Sequence, residues 1–234
     1  MTLRLSLLIF LLAGSLVFAE PAAKTRILLL GDSLTAQGEG RRPLYERLTA
    51  EGYAFEFVGT QGEAPLCHEG HGGFTIGPDQ SAPGNLSDHI EEWIRVARPD
   101  VILLMVGNND YNGKPGVDPA GAPERLAALL DKIMTLAPSS DVIVANVLKI
   151  AFVDDYAGAL NDRVPAIVQD LREKGRRVHF ADLNAEVDLV KGAPPFNGPD
   201  SDYSDGTHLN AKGGQKLAAA RYAHLIRFLQ RPTN

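Results

Sequence analysis

Five short stretches of the chain are almost continuously apolar and carry many β-branched residues: Arg26 to Leu30, Phe55 to Val58, Val101 to Val106, Val142 to Val147 and Val178 to Ala181. A strand with one wet face alternates apolar with polar residues, so unbroken runs predict strands covered on both faces. Between them, Pro43 to Ala50, Leu86 to Ala97, Glu124 to Leu136 and Asp155 to Lys174 have helical spacing. Strand and helix in alternation predict an α/β domain, a five-stranded parallel sheet with right-handed crossovers and helices on both faces. A final helix, Ala211 to Leu229, has Asn210 as its N-cap and aligns Ala218, Tyr222, Leu225, Ile226 and Leu229 on one stripe. Two long irregular stretches, Gly59 to Gly84 and Val190 to Asp205, are rich in Gly, Pro and Asp. Loops of that length in a compact domain usually carry function.

At 234 residues and 44% hydrophobic composition the chain supplies one good core, so residues 20–234 read as a single domain. The N-terminus stands apart: a basic head, MTLR, precedes an apolar run from Leu5 to Phe18 and the small-residue pattern Val17-Phe18-Ala19. That is the layout of a secretory signal over residues 1–19, with a mature chain starting near Glu20. The run is shorter than the roughly 20 apolar residues needed to span a bilayer, so no stable membrane insertion is expected after cleavage. Secretion or a periplasmic location follows. The formal net charge of −6 lacks the basic field that phosphate contacts need, which argues against nucleic acid as a partner. Cys67, the only cysteine, leaves no internal disulfide.

The first apolar run ends abruptly at Gly31-Asp32-Ser33. In an open parallel sheet ligands bind beyond the carboxyl ends of the strands, where strand order reverses; in the five-stranded doubly wound order that point lies between the first and third strands. Ser33 follows the first strand, and Gly107-Asn108-Asn109-Asp110 follows the third. Ser33 on its own reads equally as a helix cap. A nucleophilic serine needs a base, and the base an orienting group. Asp205-Gly206-Thr207-His208 offers both in one turn: an acid three residues before a histidine can accept the Nδ1 proton and hold Nε2 toward the serine. Acyl transfer also needs oxyanion donors, for which the backbone N–H groups of Ser33 and Gly73 and the amide of Asn109 are candidates.

These blocks, GDSL at 31–34, Gly73 within HEGHGGFTI, GNND at 107–110 and DGTH at 205–208, resemble in order and separation the signature of the SGNH, or GDSL, hydrolase superfamily. The resemblance implies a flavodoxin-like three-layer fold, Ser33 as nucleophile, His208 and Asp205 as base and orienting acid, and Ser33, Gly73 and Asn109 as the oxyanion hole. The stretches GYAFEFVGTQ, CHEGHGGFTI and ARPDVILLMVGNND are similar to the branch with carbohydrate acetylesterases such as acetylxylan esterases. It therefore implies an exported serine esterase, needing no cofactor, that removes short acyl groups, acetate above all, from a small-molecule or polysaccharide ester. A lysophospholipase-like esterase is the alternative, but it would want an extended apolar trough, and the loops 61–84 and 192–205 are polar. A non-catalytic sugar-binding relative would lack one of the four blocks, and none is missing.

The remaining candidates read as structural. His68 and His71 lack the H-E-x-x-H spacing of a helical zinc site, and the glycines around them oppose a helix, so no metal is expected. The run DSDYSDG fails the calcium-loop pattern, since Asp205 occupies the glycine position. Asp32 reads as a turn-fixing acid, Asp110 as structural, and His89, His179 and His224 as structural or surface residues. Arg41 and Arg42 either open the next helix or line the mouth of the site. Cys67 is either a small buried residue or a thiol beside the pocket.

Overall fold

The computed structural model describes residues 23–79 and 83–231. The leader expected over residues 1–19 lies outside the described residues. A parallel sheet is built from β1 (Thr25–Gly31), β2 (Phe55–Val58), β3 (Glu69–Gly70), β4 (Val101–Met105), β5 (Asp141–Ala145) and β6 (Val178–Ala181). The order β2-β1-β4-β5-β6 reverses direction between β1 and β4, which places the crevice where the sequence located it. Register runs straight across, with Ile27 opposite Val101 and Val101 opposite Asp141.

Alternate residues of the central strands enter two different cores. Leu28, Leu30, Ile102, Leu104, Val142 and Val144 meet α3 (Leu86–Ala97), α4 (Ala122–Leu136) and α6 (Val164–Glu173) on one face. Ile27, Leu29, Leu103, Met105 and Ile143 meet α2 (Arg41–Ala50) and α8 (Ala211–Leu225) on the other. Burial on both faces is the physical reason the strands carry unbroken apolar runs.

The structure departs from the pattern-based expectation in four places. The two-residue β3 fills the same side of β1 as β2 does: β2 pairs with Thr25 to Leu28, and β3 pairs Glu69 with Leu30 and Gly70 with Gly31. The helix expected over Asp155–Lys174 is two helices, α5 (Gly158–Asn161) and α6. Pro165 has no N–H to donate and fits only in a first turn, so a helix must restart there. Asp155 and Ala157, with φ of 55° and 59°, lie outside the helix. The last helix ends at Leu225 and is continued by a 3₁₀ turn, Ile226–Phe228; Asn210 caps its start, accepting from the N–H groups of Lys212 and Gly213. α2 begins at Arg41, two residues ahead of the expected start at Pro43.

Candidate active site

The tip of β1 carries the first component. Asp32 caps the short helix α1 (Ser33–Ala36), its Oδ1 accepting from the Leu34 N–H at 3.1 Å, which leaves the Ser33 hydroxyl free of capping duty at the first helical position. Gly31 allows no side chain: a Cβ there would lie 2.2 Å from the carbonyl oxygen of Met105 on β4. This close backbone approach sets the end of β1 beside the end of β4. Beyond β4, Gly107 with φ 126° turns the chain into the 3₁₀ segment Asn108–Asp110.

The second component comes from just ahead of α8. Tyr203 and Leu209 form an antiparallel bridge, and the Tyr203 hydroxyl donates to the Lys149 carbonyl, so the 205–208 turn is pinned at its base. Asp205 Oδ1 accepts from the N–H groups of Thr207 (3.0 Å) and His208 (2.7 Å), while Oδ2 lies 2.7 Å from His208 Nδ1. His208 Nε2 lies 2.9 Å from Ser33 Oγ. Residues 175 positions apart are thereby in hydrogen-bond contact. The Asp205 side chain is 55% exposed and that of His208 23%. Partial burial opposes ionisation of Asp205, yet the bonds from the His208 ring and from the His208 and Thr207 N–H groups outweigh it and hold the carboxyl below its ordinary range.

The third component is the loop after β3. The His71 N–H donates to the Gly31 carbonyl, tying this loop to the tip of β1. Gly73, with φ 80°, engages its N–H in none of the hydrogen bonds among the described residues, while its carbonyl accepts from Lys114. Asn109 crosses from the β4 loop: Nδ2 donates to the Phe74 carbonyl at 2.9 Å and Oδ1 accepts from Asn112. One amide hydrogen of Asn109 thus holds the Gly73–Phe74 segment, and the second has no acceptor among the described residues. Ser33, Gly73 and Asn109 therefore sit on three segments tied together at the switch point, an arrangement able to place donors around a carbonyl oxygen attacked from Ser33.

One support group of this loop, Glu69, was not legible in the sequence. Buried Glu69 accepts from the Thr60 N–H and hydroxyl and lies 2.7 Å from His71 Nε2. The His71 ring stacks on Trp93 at 4.2 Å and 8°. His71 is thus committed to its acid and its aromatic neighbour. His68 accepts from the Gly70 N–H, and burial, followed by the Arg41 charge, pushes its pKa down to about 4. Asp110 is buried, paired with Arg125 and bonded to the Ile76 N–H; burial outweighs these bonds and raises its pKa. Arg41 turns inward and donates to the Thr35 carbonyl, and Arg42 is exposed. Cys67 is half-buried. His179 pairs with Asp141, His224 with Glu186, and exposed His89 stacks on Trp93.

Asp32 has a pH signature. Burial, aided by the charge of Asp110 and opposed by N–H bonds from Leu34 and Asn108, raises its pKa to about 6 from 3.8. Between those values the folded state binds more protons than the unfolded one, so this group's contribution to stability falls as pH rises through about 4 to 6. A shift of that size corresponds to about 3 kcal/mol. In Asp32→Asn the amide oxygen still caps Leu34, so the variant should lose most of that decline. Denaturant unfolding at pH 4 and pH 7 measures it, and an unchanged pH difference would count against the buried charge.

A parallel sheet of this order, with a Ser–His–Asp array at the carboxyl end of its switch point, defines an SGNH-type hydrolase architecture. The family model described as GDSL-like Lipase/Acylhydrolase matches residues 29–216, and the chain belongs to that family. Among solved structures it is similar to a Clostridium thermocellum family 3 carbohydrate esterase, with 29% identity and a TM-score of 0.68 over 87% of this chain and 96% of that one. Two curated relatives are a putative endoglucanase X of Acetivibrio thermocellus (29% identity, 65% of this chain) and a multidomain esterase of Ruminococcus flavefaciens (28%, 85% of this chain). The matches span 61% and 28% of those proteins' own lengths. No helix among the described residues is long and apolar enough to cross a membrane.

Proposed function

We propose that this protein is an exported serine esterase that removes short acyl groups, chiefly acetyl, from hydroxyls of carbohydrate. The observation that carries the reading is the contact of His208 Nε2 with Ser33 Oγ at 2.9 Å, with Nδ1 held by Asp205 at 2.7 Å. His208 takes the hydroxyl proton as Ser33 Oγ attacks the ester carbonyl. The N–H groups of Ser33 and Gly73 and the free amide hydrogen of Asn109 stabilise the oxyanion. As the intermediate collapses, the bond to the sugar oxygen breaks and that oxygen takes the proton back from Nε2. Water, deprotonated by His208, then attacks the acyl-enzyme and releases the acid with Ser33 restored.

Support for a carbohydrate ester comes from the similarity to a family 3 carbohydrate esterase and from the polar loops around the array. Export rests on the basic head, apolar run and small-residue pattern of residues 1–19. The test compares acetate release from acetylated xylan and other acetylated glycans with hydrolysis of p-nitrophenyl esters of rising chain length. Acetate is expected to be cleaved fastest, with acetate released from at least one glycan. Faster turnover of octanoate than acetate would overturn the short-acyl reading.

A further inference from the structure

The alcohol half of the substrate must lie on the His208 side of Ser33, because Nε2 has to reach the departing oxygen, whereas the acyl oxygen points to Gly73 and Asn109. Moving from His208 along its own turn leads to Gly206, and there an aromatic ring is waiting. A Cβ on Gly206 would lie 2.5 Å from the Phe152 ring, so the ring rests directly against the turn, and the Ala151 N–H donates to the Gly206 carbonyl at 2.7 Å. Phe152 is 56% exposed, more than the other large hydrophobic side chains among the described residues. Its ring does not dangle: Phe196 meets it edge-on at 5.2 Å and 88°. An aromatic side chain fixed on two sides and open on the third is what a binding surface requires.

We infer that Phe152, buttressed by Phe196, is the stacking platform for a sugar ring in the alcohol half of the substrate, an inference that rests on the glycan-ester reading above. The face of an aromatic ring carries partial negative charge and attracts the partly positive C–H groups on the face of a pyranose. The surroundings suit a sugar better than an alkyl chain. The segment that carries Phe152 also borders a depression of about 240 Å³, whose lining includes Ile150, Val153, Asp154, Tyr156, Asn184 and Lys191, with Lys191 paired to Asp154. Donors and acceptors of both charges on the segment that carries one exposed ring match the hydroxyl-rich rim and apolar faces of a pyranose.

The test uses the full protein and its Phe152→Ala, Phe152→Leu and Phe152→Tyr variants, reading kcat/KM on acetylated xylan and on p-nitrophenyl acetate, whose alcohol is not a sugar. The expected result is a loss on acetylated xylan about five- to tenfold greater than on p-nitrophenyl acetate for both Ala and Leu, carried by KM, with Tyr close to wild type. Equal losses on the two substrates would overturn the platform and leave Phe152 as a prop for the 205–208 turn. Full activity in Phe152→Leu would also overturn it, pointing to a merely apolar contact such as an acyl chain or lipid surface. Wild-type protein inert on every acetylated glycan would remove the functional reading, and the platform with it. Wild-type glycan activity with an unaffected Phe152→Ala would remove the platform alone.

Discussion

Ser33→Ala is expected to lower kcat for p-nitrophenyl acetate by about four to six orders of magnitude, the scale on which Ser-His-Asp hydrolases lose activity without their nucleophile. Stability should hold, because the capping oxygen of α1 belongs to Asp32 and not to Ser33, and alanine is a better helix former than serine. The substitution therefore separates the two jobs that a serine after a strand can have. Loss of a cap would cost about 1 kcal/mol of stability and little activity; loss of a nucleophile costs the activity and little stability. Triad members act as a unit, so Ser33→Ala combined with His208→Ala should be scarcely worse than either alone. Hydrolysis rates with unfolding midpoints for the three variants decide it. A Ser33→Ala protein within tenfold of wild type would remove Ser33 from the chemistry.

The sequence makes legible what burial and fixed motifs dictate. The central strands are readable because both faces are covered, which forces residues such as Leu28, Leu29 and Leu30 to be apolar in succession. The crevice follows from strand order, and the GDS and DGTH segments already carry their partners at fixed spacing. β3 left no trace, because Glu69 and Gly70 are held in place by pairing with the tip of β1 and not by any periodicity of their own. The break before α6 was hidden by apolar spacing that continues across it; Pro165 was the available signal, since its missing N–H is tolerated only in a first turn. The Glu69–His71–Trp93 support is invisible because Trp93 arrives from α3, and the inward turn of Arg41 is likewise a tertiary outcome. The exposure of Asp205 could not be read from its spacing to His208.

That exposure shapes the second large effect, expected from Asp205→Asn. In the wild-type turn Oδ1 is committed to two backbone N–H donors, so an asparagine there must present its carbonyl oxygen to them. Its NH₂ then faces His208 Nδ1 and donates, which requires Nδ1 to be the lone-pair nitrogen and Nε2 to carry the proton. An Nε2–H directed at Ser33 cannot accept the hydroxyl proton, so the base is lost with the geometry intact. Where the triad acid is buried this tautomer trap costs about 10⁴ in kcat. Here water reaches a side chain that is 55% exposed and competes for Nδ1, so the expected loss is smaller, about 10² to 10³. Asp205→Ala makes the complementary case: it forfeits both backbone bonds and should be the less stable variant, yet it leaves the ring free to place its proton on Nδ1. The alanine protein is therefore expected to match or exceed the asparagine protein in kcat while unfolding at a lower temperature. Wild-type kcat in Asp205→Asn would mean that the carboxylate only shapes the turn.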